Sequence, residues 1–127
     1  MKKYLFLLAV TFSLLSFSQK AEQVKGNFVH AVYFWLNNPY NETERAAFEA
    51  SLKKFVNASG FITAYHIGKP ASTRRDIVDH TYTYSLVVTF ENKALHDAYQ
   101  IEVAHDIFRA EATPLLKKVQ IYDSETF

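Results

Sequence analysis

Tyr99 and His105 stand six residues apart in the stretch Thr81 to Phe108, each on the apolar side of its own segment. A phenol and an imidazole turned into an interior can do acid–base chemistry. The imidazole takes or gives a proton near neutral pH, and the hydroxyl can hold a carbonyl or an enolate through a hydrogen bond. His30 and Tyr84 lie on the inward faces of two predicted strands and are the other polar candidates. His30, Tyr99 and His105 converge if the last helix packs across the first strand. The same groups also suit a structural core in which each polar atom is hydrogen-bonded. Spacing leaves the choice open.

The elements that would carry these groups are readable. Phe28–Leu36 has the aromatic and β-branched composition of a strand. Its two alternate sets, Phe28, His30, Val32, Phe34, Leu36 and Val29, Ala31, Tyr33, Trp35, are both largely apolar, so both faces need cover. One helical layer covers one face only, and a second copy is the simplest cover for the other. Pro39 ends the strand, and Asn41 with Glu44 resembles a capping box that starts a helix to about Asn57. Phe48, Leu52, Phe55 and Val56 form its inward stripe, with Arg45, Glu49, Lys53 and Lys54 toward water.

Ser59-Gly60 stops that helix, and Phe61–Lys69 is predicted as a second strand. After a polar loop, residues 81–90 alternate as a third strand, with Tyr82, Tyr84, Leu86, Val88 and Phe90 on one face. Asn92 caps a helix whose inward residues are Leu95, Ala98 and Tyr99, with His96 on its outer face. A bend near Glu102 leads into a last helical piece with Phe108, Ala112, Leu115 and Leu116 buried, and Val119, Ile121 and Tyr122 fall in a closing strand. The order β-α-β-β-α-β predicts an α+β, ferredoxin-like fold, an antiparallel four-stranded sheet with helices on one face. Two copies would cover each other's open sheet face about a two-fold axis.

The chain has 127 residues, enough for one domain. Residues 1–18 read as a secretory signal peptide: Lys2 and Lys3, an apolar run from Tyr4 to Phe17, and small residues Ser16 and Ser18 before Gln19. That run is shorter than the roughly 20 residues needed to span a bilayer, so no stable membrane anchor is expected after cleavage. The expected location is periplasmic or secreted. Residues 19–27 form a polar leader and 28–124 the domain. Loss of Lys2 and Lys3 leaves 12 basic against 13 acidic side chains, with no basic stripe for nucleic acid. No cysteine is present, and hydrophobic residues make up 49% of the chain, so burial must hold the fold. Histidines 30, 66, 80, 96 and 105 show no metal-ligand spacing, and with three glycines there is no phosphate loop. Neither metal nor cofactor is expected.

Val29-His30-Ala31-Val32, Arg75-Asp76 ahead of Tyr82–Phe90, Ala98-Tyr99, Ala104–Phe108 and the closing Val119–Asp123 together resemble the stress-responsive A/B barrel domain family, over about residues 28–123. The resemblance implies a dimeric α+β barrel built from two ferredoxin-like sheets. One branch, the plant cyclase that makes olivetolic acid, uses a tyrosine and a histidine in a cofactor-free aldol cyclisation. Those residues fall on Tyr99 and His105, with His30 matching a pocket histidine. The chain departs from the family pattern at Glu102-Val103, where His-Pro is common. It also has Phe55 in place of a pocket tyrosine and Tyr84 in place of a pocket histidine.

Three readings follow. The first is an exported homodimer that binds a small apolar or aromatic molecule between Phe34, Phe55, Tyr84 and Phe108. The second is a cofactor-independent cyclase or lyase, with His105 as general base, Tyr99 as hydrogen-bond donor to the carbonyl and His30 as the orienting group. The third is a purely structural stress protein whose aromatic side chains fill the interior.

Overall fold

Asparagine starts two of the three helices, each by accepting from the backbone N–H groups that a first helical turn leaves unbonded. In the computed structural model, which describes residues 20–127, the elements are β1 (Phe28–Leu36), α1 (Glu42–Ala58), β2 (Ala64–Gly68), β3 (Tyr84–Phe90), α2 (Lys93–Gln100), α3 (Val103–Ala112), a 3-10 turn (Thr113–Leu115) and β4 (Leu116–Glu125). The expected signal peptide lies outside the described residues. Asn41 Oδ1 accepts from the N–H groups of Thr43 and Glu44 at 3.0 and 3.1 Å, and Asn92 Oδ1 accepts from that of Leu95 at 3.0 Å. At α1 the Glu44 carboxylate meets the side-chain amides of Asn38 and Asn41, while the Asn41 N–H goes to the Asn38 carbonyl.

The four strands pair antiparallel in the order β2-β3-β1-β4, the ferredoxin-like arrangement expected from the element order. In β1, Phe28, His30, Val32, Phe34 and Leu36 are buried, while Val29, Ala31, Tyr33 and Trp35 on the opposite face are half-buried. Register sets Phe90, Val88, Leu86 and Tyr84 of β3 beside the buried set. The α1 stripe of Phe48, Leu52, Phe55 and Val56 closes over them. Fully burying each such side chain contributes about 1.5–3 kcal/mol, so this aromatic and aliphatic layer is the main stabilising element of a chain without disulfides.

Four local expectations are corrected. β2 starts at Ala64, not Phe61, and β3 starts at Tyr84, not Thr81. Residues 81–83 make bonds outside a regular ladder: Thr81 Oγ1 accepts from the Trp35 indole, and Thr83 Oγ1 accepts from the Leu36 N–H. Side-chain acceptors competing in this way break strand geometry. Tyr82 thereby sits against Tyr33 and Trp35 on the open face, across the sheet from Tyr84. Arg45 and Glu49, expected to face water, also reach in to the Tyr84 hydroxyl.

Candidate active site

α2 and α3 meet at the bend Ile101-Glu102, where the N–H of Ile101 bonds back to the Ala98 carbonyl and the N–H of His105 bonds to the Glu102 carbonyl. The break forms at Glu102-Val103 without a proline. The Glu102 carboxylate accepts from the Gly60 N–H at 3.4 Å, which ties the bend to the end of α1. This geometry aims the last turn of α2 and the first of α3 at β1.

Tyr99 and His105 therefore converge with His30. Their ring centroids lie 4.9 Å apart for Tyr99 and His105, and 5.8 Å apart for His30 and Tyr99. All three line a cavity of about 290 Å³ between the sheet and α3, walled by Phe34 and Phe108 and open beside Val119 and Ile121 of β4. Phe34 and Phe108 border this space and leave it open. Of the other expected pocket residues, Phe55 lies one layer behind, stacked on Phe108 at 4.9 Å and 5.2 Å from His105. Tyr84 is turned away. Its ring stacks on Phe48, and its hydroxyl donates to Glu49 at 2.6 Å and accepts from Arg45 at 2.9 Å. Neither Phe55 nor Tyr84 lines the cavity.

The electrostatics suit proton transfer. Tyr99 is 1% exposed, and burial, reinforced by the Glu102 and Asp123 carboxylates, drives its pKa well above the ordinary phenol value. Its hydroxyl stays protonated at neutral pH and has no hydrogen-bond partner among the described residues. Burial also lowers the His105 pKa. The Arg109 guanidinium and His30 add to that effect, while the Gln100 carbonyl and Asp106 pull the other way. His105 Nδ1 is buried with no partner among the described residues. A neutral imidazole with an unused nitrogen thus stands beside a phenol with an unused proton.

His30 Nδ1 lies 2.6 Å from Asp123 Oδ1, across the β1–β4 pair. Burial lowers the His30 pKa despite the opposing pull of Asp123. A carboxylate can only accept, so the Nδ1 of neutral His30 carries the proton and its Nε2 keeps the lone pair. Sequence reasoning missed Asp123, although the alternation Val119, Ile121, Asp123 places it on the same sheet face as His30, directly across the strand pair. It also placed His96 outward. In the structure His96 is buried, with its ring stacked on Phe28 at 4.4 Å and 5.1 Å from that of His30.

A second concavity of about 400 Å³ lies on the open sheet face, lined by Tyr33, Trp35, Tyr82, Tyr122, Asp79 and Lys118. It is larger, and it lacks a buried acid–base pair. Among the described residues no helix is long and apolar enough to cross a membrane.

The family profile described as "Stress responsive A/B Barrel Domain" matches residues 28–126. The chain belongs to that family. Solved structures agree on the fold. A Dabb family protein with a ferredoxin-like fold from Mesorhizobium loti is 21% identical, with a TM-score of 0.67 over 81% of this chain and 99% of that one. A dimeric ferredoxin-like protein of unknown function from Thermobifida fusca is 16% identical, with a TM-score of 0.66 over 85% and 99%. A hydroxynitrile lyase from Passiflora edulis is 13% identical, with a TM-score of 0.66 over 80% and 94%. At these identities the likeness is one of fold. No curated protein matches the chain.

Proposed function

We propose that this A/B barrel domain is an exported homodimer whose function is to hold a small, mainly apolar or aromatic molecule bearing a carbonyl or similar oxygen. The observation that carries the reading is the cavity itself, an apolar chamber into which Tyr99 presents an unpaired hydroxyl. A ligand oxygen accepting from Tyr99 would satisfy that donor, and Phe34 and Phe108 would pack against the ligand's apolar body. Dimerisation is supported by the half-buried apolar set Val29, Ala31, Tyr33 and Trp35 on the open face and by relatives described as dimeric. Export rests on the basic and apolar pattern of residues 1–18.

The neutral His105 beside Tyr99 favours a second reading, a cofactor-independent cyclase or lyase. His105 would remove a proton α to the bound carbonyl while Tyr99 donates to the developing enolate oxygen, and His30, held by Asp123, would orient the ligand. A neighbour of the same fold described as a hydroxynitrile lyase is consistent with lyase chemistry.

One experiment tests both. A panel of small aromatic ketones, aldehydes and phenols is screened by thermal shift, and the best binder carrying α-protons is incubated with the protein in D2O. Ligand holding predicts stabilisation that Tyr99→Phe and His105→Ala remove while both variants stay folded. The enzyme reading further predicts α-deuterium incorporation that depends on His105. Binding without exchange leaves the holding function alone. Large stability losses in both variants, with no ligand effect in the parent protein, would return the site to a structural core. Light scattering behind size exclusion checks the dimer, and a monomer at micromolar concentration contradicts it.

A further inference from the structure

Beside the Tyr99–His105 pair, three groups with metal-ligand chemistry meet from three separate elements. His30 comes from β1, Asp123 from the neighbouring edge strand β4, and His96 from α2. One ring nitrogen from each histidine and one carboxylate oxygen lie within 4.8 Å of one another. Two donors on one tetrahedral zinc, each roughly 2.1 Å from it, sit about 3.4 Å apart, so closing the set takes shifts on the order of an ångström and replaces the His30–Asp123 hydrogen bond, the His30 proton leaving Nδ1 as the carboxylate turns to the metal. Both imidazoles are buried, and the Asp123 side chain, 43% exposed, leaves a route from solvent.

The surroundings orient His96 as a ligand. Its Nδ1 lies 3.1 Å from Asp97 Oδ1, and Asp97 is itself held by Lys93 at 2.6 Å. Because the carboxylate accepts, the proton is on Nδ1 and the lone pair on Nε2, the tautomer that a carboxylate–histidine–metal chain requires. Nε2 is met by the Gln100 side-chain amide at 3.1 Å, a contact that a metal would replace. Stacking on Phe28 fixes the ring plane. Spacing along the chain could not reveal this cluster, because only folding brings the three elements together.

We propose that His30, His96 and Asp123 form a binding site for a divalent transition metal of the zinc class. Two imidazoles and one carboxylate suit zinc and its neighbours in the series better than magnesium or calcium, which take oxygen donors. Three protein ligands leave a position for water or for an oxygen donor of a bound molecule. His30 also lines the cavity, so the metal would stand at its wall. The proposal does not depend on Tyr99 and His105 acting as an acid–base pair.

The test is calorimetric titration of the purified, chelator-treated protein with zinc, and with cobalt(II) as a spectroscopic probe. The expected result is a single zinc per chain and a cobalt ligand-field band in the visible. Both should be lost in His96→Gln and Asp123→Asn and unchanged in His105→Gln. Asp97→Asn should weaken zinc by about tenfold to a hundredfold through the outer hydrogen bond. Asp123 is exposed on an edge strand, so its variant folds and decides the matter even if His96→Gln does not. Absence of stoichiometric binding, or binding of unchanged affinity in Asp123→Asn, overturns the site. Those results leave the Tyr99 and His105 tests untouched.

Discussion

Replacing Tyr99 by phenylalanine removes one oxygen from the interior, and the structure sets what that should cost. A hydroxyl engaged in a normal intramolecular bond contributes about 0.5–1.5 kcal/mol, and removing it also strands its partner, at about 1–3 kcal/mol. The Tyr99 hydroxyl has no partner among the described residues, so neither cost applies. The ring stays packed between Phe55, Phe90 and His105 at 4.8–5.4 Å. Tyr99→Phe should therefore change unfolding free energy by no more than about 0.5 kcal/mol, the range of substitutions that break no specific interaction. Tyr99→Ala, which empties the space of a buried ring, should cost about 3–5 kcal/mol. The assay is urea denaturation followed by tryptophan fluorescence and far-UV circular dichroism, with m-values compared between variants. A loss above about 1.5 kcal/mol for Tyr99→Phe would mean that the hydroxyl is bonded within the fold, and the reasoning that it awaits a ligand would fail.

Other outcomes follow from single contacts. Gly26 has φ of 95°, and a Cβ there would lie 2.6 Å from the Phe90 carbonyl oxygen, so Gly26→Ala should destabilise by roughly 1–3 kcal/mol in the same assay. Asn41→Ala removes the acceptor for two N–H groups of α1 and should cost about 1 kcal/mol, read by thermal unfolding. His30 and His105 both hold lowered pKa values in the fold. As pH drops below about 6.5 the unfolded chain takes up protons that these folded imidazoles refuse, so stability should fall until the lowered folded pKa values are reached. Denaturation midpoints at stepped pH check the sign, and the slope should shrink in His105→Gln. A midpoint that rises on acidification through this window contradicts it.

The parts legible in the sequence are those where local chemistry and packing agree. Asn41 and Asn92 cap as their types demand, β1 alternates between two apolar faces, and α1 buries the stripe its spacing sets out. The illegible parts depend on neighbours distant in sequence. His96 lies three residues before Tyr99 and thus shares its helix face, and its burial rests on Phe28 and Phe90 packing against its ring and on Asp97 and Gln100 meeting its two nitrogens. Asp123 stands in an edge strand of mostly exposed residues, and pairing with β1 is what brings it to His30. Tyr82 obeys the period-two pattern by position and defies it in space, because Thr81 and Thr83 take hydrogen bonds that interrupt the ladder. Tyr99, His105 and His30 converge because the bend at Glu102, formed without a proline, turns the start of α3 back beside Tyr99 while Phe108 packs on Phe34 of β1.

The central claim is that the chamber between α3 and the sheet, and not the aromatic groove on the open face, is where a small molecule binds. An NMR titration of ring-labelled histidine and tyrosine with the best-binding aromatic ketone reads both sites at once. The account predicts saturable shifts at Tyr99, His105 and His30, with Tyr33, Tyr82 and Tyr122 unmoved. Shifts confined to those three open-face tyrosines would contradict it.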